Sequence, residues 1–237
     1  MASAGAEGMK TMLNCFVISP PHDSRSGILK TAANMIEIMA RGGGVGILVS
    51  SLRPRAARVF GVNGRSNGSV AWAEIYSMLT ILVNQDGGRR GALMLMENDW
   101  HPDLMEFIRD KTTPGRKEGC NMSVLISDRF MQALRNGEDW TFVYTDYASI
   151  GMDIYDREWR GDLDEWVEKG YPVKEYGKMP ATEIWHELME SVWLSGEPGV
   201  IFIERANKLS NSWYYDRIIG SNPCGEELLP ANGICDH

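Results

Sequence analysis

The sequence predicts an α/β fold: one domain on a mainly parallel sheet. Short apolar runs rich in strand formers alternate with amphipathic segments at helical spacing along most of the 237 residues. No Pro/Ser-rich linker, internal repeat or low-complexity tract divides them. A 43% hydrophobic and 24% charged composition is that of a globular chain able to bury a sizeable core.

Residues 13–19 (LNCFVIS) read as a buried strand ended by Pro20 and Pro21. A helix follows, capped by Asp23 or Ser24, with Ile28, Met35, Ile38 and Met39 at helical spacing and a glycine stop. Residues 45–52 (VGILVSSL) are a second strand and 53–69 a long loop dense in Gly, Asn and Arg. An apolar helix at 70–85 runs into DGGRRG, followed by a strand at 92–97 and a helix at 101–111 with Pro102 in its first turn. A strand at 122–127 and a helix at 127–137 come next, then a strand at 141–146. The acidic, aromatic segment 155–170 is expected at the surface. Residues 181–196 form an amphipathic helix, and 199–210 a strand running into a loop.

A net charge of -8 leaves no domain-wide basic surface for a nucleic-acid backbone. Arginines clustered at 53–65 and at Arg89 and Arg90 keep small anions in play. No apolar run approaches membrane-spanning length, and MASAGAEGMKTML lacks the layout of a signal peptide. Four cysteines are too few for a secreted disulfide scaffold, so a reducing, cytoplasmic setting is expected, with neither membrane nor nucleic acid as partner.

Cys224, wedged between Pro223 and Gly225, sits on a rigid turn that suits reactivity better than packing. Cys15 ends an apolar strand and Cys120 lies in a polar loop; as small residues, either packs well without chemistry. No CxxC pair offers zinc ligands, and HELME at His186 lacks the second histidine of a zinc-protease motif, so no metal site is expected. GGGVG (42–46) and DGGRRG (86–91) let backbone approach a neighbour closely; the first has the wrong glycine spacing for a dinucleotide fingerprint and follows a helix instead of a strand.

The order of these pieces is more specific than any one of them. NCFVI, HDS, RGGGVGI, SLRPR, GVNGRSNGSVAW, GGRRGALM, HPDLMEFI and SNPCGE together resemble the catalytic subunit of ribonucleotide reductase. NPCGE and GGRRGALM resemble its adenosylcobalamin-dependent class (class II). The resemblance implies the first half of a ten-stranded α/β barrel plus the start of its finger loop, with residues 1–237 a single incomplete catalytic domain. It implies that Cys224 becomes a thiyl radical, that Glu226 is the base for the 3′-hydroxyl, and that Asn222 hydrogen-bonds the ribose. It further implies that Cys15 and Cys235 are the redox pair, while Cys120 matches no role. Asp23 and Arg53 match effector-binding positions for a deoxynucleoside triphosphate. The loop at 55–66 would follow that effector, and Gly87, Gly88, Arg89, Arg90 and Gly91 would relay its identity, with Arg89 touching the substrate base. Adenosylcobalamin, a ribonucleotide substrate, a thioredoxin-type reductant and a second copy of the full-length enzyme complete the implied partners.

The chain stops two residues after Cys235, which reads as truncation, and Met1 stands only fourteen residues before Cys15. A half barrel exposes sheet edges and apolar faces, so the isolated chain is expected to be insoluble, molten or inactive unless a complementary fragment joins it. Two other readings stand beside the leading one: an effector-binding fragment without catalysis, and a class I subunit served by a separate metal radical protein.

Overall fold

The computed structural model describes residues 13–85, 89–113 and 115–235, without the side chains of Asn84, Gln85 and Arg89. In chain order the elements begin with β1 (Cys15–Val17), α1 (Arg25–Ala40), β2 (Gly44–Leu48), β3 (Arg58–Val59), β4 (Gly64–Arg65) and α2 (Ser69–Leu82). Next come β5 (Asn84–Gln85), β6 (Arg89–Arg90), β7 (Leu93–Asn98), α3 (Leu104–Asp110), β8 (Asn121–Ile126), α4 (Asp128–Asn136) and β9 (Asp139–Thr145). Three short helices follow, α5 (Tyr147–Ile150), α6 (Met152–Glu158) and α7 (Leu163–Glu168), then β10 (Val173–Pro180) and α8 (Ala181–Ser195). The remaining elements are β11 (Gly199–Phe202), α9 (Ile203–Leu209), β12 (Ile218–Ser221), β13 (Leu228–Pro230) and β14 (Gly233–Cys235).

The fold is the expected α/β half-barrel. A curled six-stranded sheet runs in the order β11-β8-β7-β2-β1-β14; its first five strands are parallel and β14 joins antiparallel to β1. Strand parity divides its two faces. Val45, Ile47, Leu93, Leu95, Met122 and Val124 point outward into the main core with Met35 and Met39 of α1, Tyr76 of α2, Phe107 of α3 and Leu188 of α8. Leu48, Met94, Met96, Leu125 and Ile201 form a smaller inner cluster joined by Leu228 of β13. The β12–β13 hairpin therefore lies on the inner face.

Local chemistry explains the helix ends. Ser24, not Asp23, caps α1, its Oγ accepting from the Gly27 N–H at 3.0 Å. Ser127 caps α4 in the same way and Gly137 ends it in the left-handed conformation. Pro102 lies ahead of α3 rather than in its first turn. The neighbouring Asp103 serves α2 instead, accepting from the Ser69 N–H at 2.9 Å.

Three stretches differ from expectation. Segment 155–170 lies at the surface along its charged face only: Tyr155, Trp159, Leu163 and Trp166 turn inward and are buried with Trp100, Tyr144 and Tyr147 in a second core. Charged residues interleaved with these aromatics hide an apolar face that only tertiary packing reveals. The expected loop after β11 is helix α9, and the Arg-rich loop at 53–69 contains the β3–β4 hairpin. β10, which pairs antiparallel with β9, and the closing strands β12 to β14 carry little period-2 signal of their own and are positioned by their partners.

Candidate active site

Two adjacent rows of residues, offset by two positions along β2, cross the inner face near the amino ends of the parallel strands. In register, Cys235 lies opposite Cys15, Cys15 beside Gly44, Gly46 beside Met94, and Met94 beside Asn121. The turn joining β12 to β13 sits over both rows, against Gly44 and Gly46.

That turn carries Cys224. The Gly225 N–H donates to the Asn222 carbonyl at 3.1 Å, closing a four-residue β-turn with Pro223 and Cys224 at its centre. Gly225 has φ 85°, a conformation that favours glycine. Below the turn the hairpin closes through Asn222 N–H to the Glu227 carbonyl at 3.2 Å. Cys224, Gly225 and Glu226 are exposed at the tip, whereas Ser221, Asn222 and Pro223 are buried against the sheet.

The glycines of β2 make that approach possible. A Cβ on Gly46 would stand 1.9 Å from the Ser221 carbonyl oxygen, and one on Gly44 would stand 2.6 Å from Pro223 Cγ. GGGVG thus meets a neighbour as closely as its composition suggests, and the neighbour is the Cys224 hairpin. On the next strand Met96 Sδ accepts from the Ser221 N–H at 3.1 Å.

Asn222 has both a structural and an open side. Its Oδ1 accepts from the Glu227 N–H at 3.0 Å and from Ser221 Oγ at 3.2 Å. Its Nδ2 is buried and has no hydrogen-bond partner. A buried amide donor without an acceptor costs stability, and this one retains its capacity to donate.

All four cysteines are thiols. Register-paired residues on antiparallel strands have Cα atoms about 4.5–5.5 Å apart, within the span of a disulfide. Cys15 is buried and Cys235 partly so. Desolvation first, then the adjoining Cys15 thiol and the charges of Glu227 and Glu226, push the Cys235 thiol up to about 12. Glu226 is thus close enough to bear electrostatically on Cys235. Cys120 is buried, its thiol also pushed up to about 12 by burial, and it lines a cavity of about 250 Å³ shared with Arg90, Gly91, Asn121, Pro223 and Cys224.

The two residues expected to hold an effector hold each other. Arg53 Nε donates to Asp23 Oδ2 at 2.6 Å and its backbone N–H to Asp23 Oδ1 at 3.1 Å. Tyr155 OH donates to Asp23 Oδ2 at 2.6 Å, and the guanidinium stacks 5.1 Å from the Tyr147 ring centroid. Burial disfavours the Arg53 charge, yet the facing Asp23 more than offsets it and holds its pKa above the ordinary value. Both side chains are buried. Arg90 is exposed, Arg89 is described by backbone alone, paired with Gln85, and Gly87 and Gly88 lie outside the described residues.

Among the described residues no group of three or more His, Cys, Asp or Glu side chains could hold a metal ion. The described residues thus provide no such ligand set for cobalt, and no chemical step is routed through that cofactor. No described helix is long and apolar enough to cross a membrane.

A cysteine carried on a hairpin over the inner face of an α/β half-barrel, beside a thiol pair at the sheet edge, defines a thiol-bearing barrel domain. The chain belongs to the ribonucleotide reductase large-subunit barrel family, whose profile, described as "Ribonucleotide reductase, barrel domain", matches residues 13–236. It is 32% identical over 220 residues to a vitamin B12-dependent ribonucleoside-diphosphate reductase of Thermoplasma acidophilum, covering 91% of this chain and 25% of that protein. It is 29% identical over 220 residues to the ribonucleoside-diphosphate reductase large chain of Cryptosporidium parvum, covering 91% and 27%. A vitamin B12-dependent reductase of Mycobacterium tuberculosis is 30% identical over 222 residues, covering 92% and 28%. The chain thus spans about a quarter of the length of these relatives.

Sequence reasoning missed two contributors to this site. Asn121 and Met96 hold the hairpin from β8 and β7. Neither carries a local signal, because their partners lie more than a hundred residues away.

Proposed function

We propose that this chain supplies part of the catalytic barrel of a ribonucleotide reductase, which converts ribonucleotides to 2′-deoxyribonucleotides. The observation that carries the reading is the register of Cys15 against Cys235 beneath the hairpin of Cys224.

In this reading a Cys224 thiyl radical takes the 3′ hydrogen of the ribose. Glu226 accepts the 3′-hydroxyl proton, and the unpartnered Asn222 Nδ2 donates to a ribose hydroxyl. The 2′-hydroxyl leaves as water. Cys15 and Cys235 supply two electrons and two protons and close into a disulfide, and the 3′ hydrogen returns from Cys224. A thioredoxin-type dithiol restores the pair, which suits a reducing cytoplasm. The cofactor proposed for this reading is adenosylcobalamin, chosen on NPCGE and GGRRGALM and in keeping with the relatives named as B12-dependent; no described residue of this chain is assigned to hold it. When bound, that cofactor supplies a radical that oxidises a thiol. A class I form with a separate radical protein is the second reading, since relatives not named as B12-dependent match at similar identity.

The exposed apolar residues Leu29 on α1 and Met78, Ile81 and Leu82 on α2 support a homodimer, with a deoxynucleoside triphosphate effector beside Asp23 and Arg53. Loading that effector site requires the Asp23–Arg53 ion pair to share its donors.

Cys224→Ser in the full-length protein tests the reading. Turnover is abolished, including single turnover with an external dithiol. Appreciable residual reduction of a ribonucleotide refutes the radical assignment.

A further inference from the structure

We infer that Asn121 is a positioning residue for Cys224: its side-chain amide, working with the bare backbone of Gly44 and Gly46, fixes the height and tilt of the cysteine turn over the inner face. The inference rests on the proposed reductase chemistry for its kinetic consequence, though not for its geometry.

Asn121 Nδ2 donates to the Pro223 carbonyl at 2.9 Å. That carbonyl belongs to the peptide joining Pro223 to Cys224, so holding it orients the plane from which the Cys224 Cα projects. Within the turn itself, Gly225 N–H to the Asn222 carbonyl sets the curvature, and the Asn222–Glu227 bond closes the hairpin below. Neither ties the tip to the sheet. The backbone of β2 provides the floor: Gly46 admits the Ser221 carbonyl and Gly44 admits the Pro223 ring. Asn121, on β8, provides a lateral tie. It lies on the same inner face as Cys15 and Cys235, three strands from Cys15 and in the neighbouring row. A hydrogen-atom transfer succeeds only at near-contact distance, and a displacement of about 1 Å costs on the order of 100-fold in rate. A tip tied on one side by packing and on the other by a directed hydrogen bond has its sulfur placed before substrate arrives.

The Gly46→Ala change risks failure to fold, so Asn121 is the informative position. It opens β8 and its side chain is exposed apart from the turn. Asn121→Asp keeps the shape and replaces the donor with an acceptor facing the Pro223 carbonyl; Asn121→Ala removes the contact. In the full-length protein both variants are expected to lower kcat for ribonucleotide reduction at least tenfold with KM within twofold. Amide exchange at Gly225 should quicken at least fivefold while the amides of β7 and β8 stay as in the parent. Asn121→Gln, which retains the donor, should recover part of both effects. Unchanged Gly225 exchange overturns the inference even if kcat falls, because the residue then acts by another route. A rise in KM at constant kcat also overturns it, because the amide then contacts substrate. If Cys224→Ser retains turnover, the reductase reading fails by itself, and Gly225 exchange still decides whether Asn121 holds the turn.

Discussion

Mild oxidation of the 237-residue chain should link Cys15 to Cys235 and to no other cysteine. The register places the two opposite each other on antiparallel strands, so the bond forms with little backbone movement. The bridge closes a loop that takes in nearly the whole chain. Loop-closure entropy for such a span is worth about 5 kcal/mol at most, and residual structure in the unfolded chain reduces this to roughly 2–5 kcal/mol. For a domain of this size each kcal/mol moves the melting point by about 2–4 °C, so the oxidised chain should melt about 5–15 °C higher. The high pKa of Cys235 makes the reaction slow near neutrality and faster as pH rises. Peptide mapping identifies the bridge, a mass loss of about 2 Da counts it, and thermal unfolding with and without reductant measures it. Cys15→Ser should abolish both the mass loss and the shift. A dominant bridge through Cys224 or Cys120, or an oxidised chain that melts no higher, would refute the register argument.

Two further outcomes follow from the buried groups. Asp99 is buried at the end of β7 with Oδ1 unpartnered, and desolvation raises its pKa from 3.8 to about 7 despite the Ser127 N–H on Oδ2 at 2.6 Å. A raised folded value means that its contribution is complete below about pH 4 and is lost as pH climbs through 7, at a cost of about 4 kcal/mol once ionised. An asparagine at this position would mimic the protonated acid, so urea midpoints of Asp99→Asn should stay flat from about pH 5 to 8 where the parent's fall; equal slopes contradict the assignment. Trp166 is almost fully buried, donates from Nε1 to the Pro172 carbonyl at 2.9 Å and packs against Trp159 and Tyr155. Trp166→Ala should cost about 3–5 kcal/mol by denaturant unfolding; a loss below about 1 kcal/mol would contradict burial of the aromatic face of segment 155–170.

The strands at 13–19, 45–52, 92–97 and 122–127 and their following helices are legible because each signal is contained within a few residues: apolar runs, caps and glycine stops. The cysteine turn is legible for the same reason, since Pro223 and Gly225 constrain Cys224 wherever the hairpin lies. The aromatic second core was hidden because its members are spread over 100–166 among charges, and none of them lies in a continuous apolar run. Asp23 and Arg53, thirty residues apart, can be recognised as a motif, but nothing local shows that they would satisfy each other in the interior.

By itself, the amino-acid order determined the alternation of elements, the turn at Cys224 and the glycines that leave room beside it. Only the tertiary structure decided that Cys15 faces Cys235, that the hairpin rests on Gly44 and Gly46, and that Asn121 grips its tip. Local conformation follows from neighbours a few residues away. Strand register and the contact between one loop and a distant sheet depend on how the entire barrel wall closes.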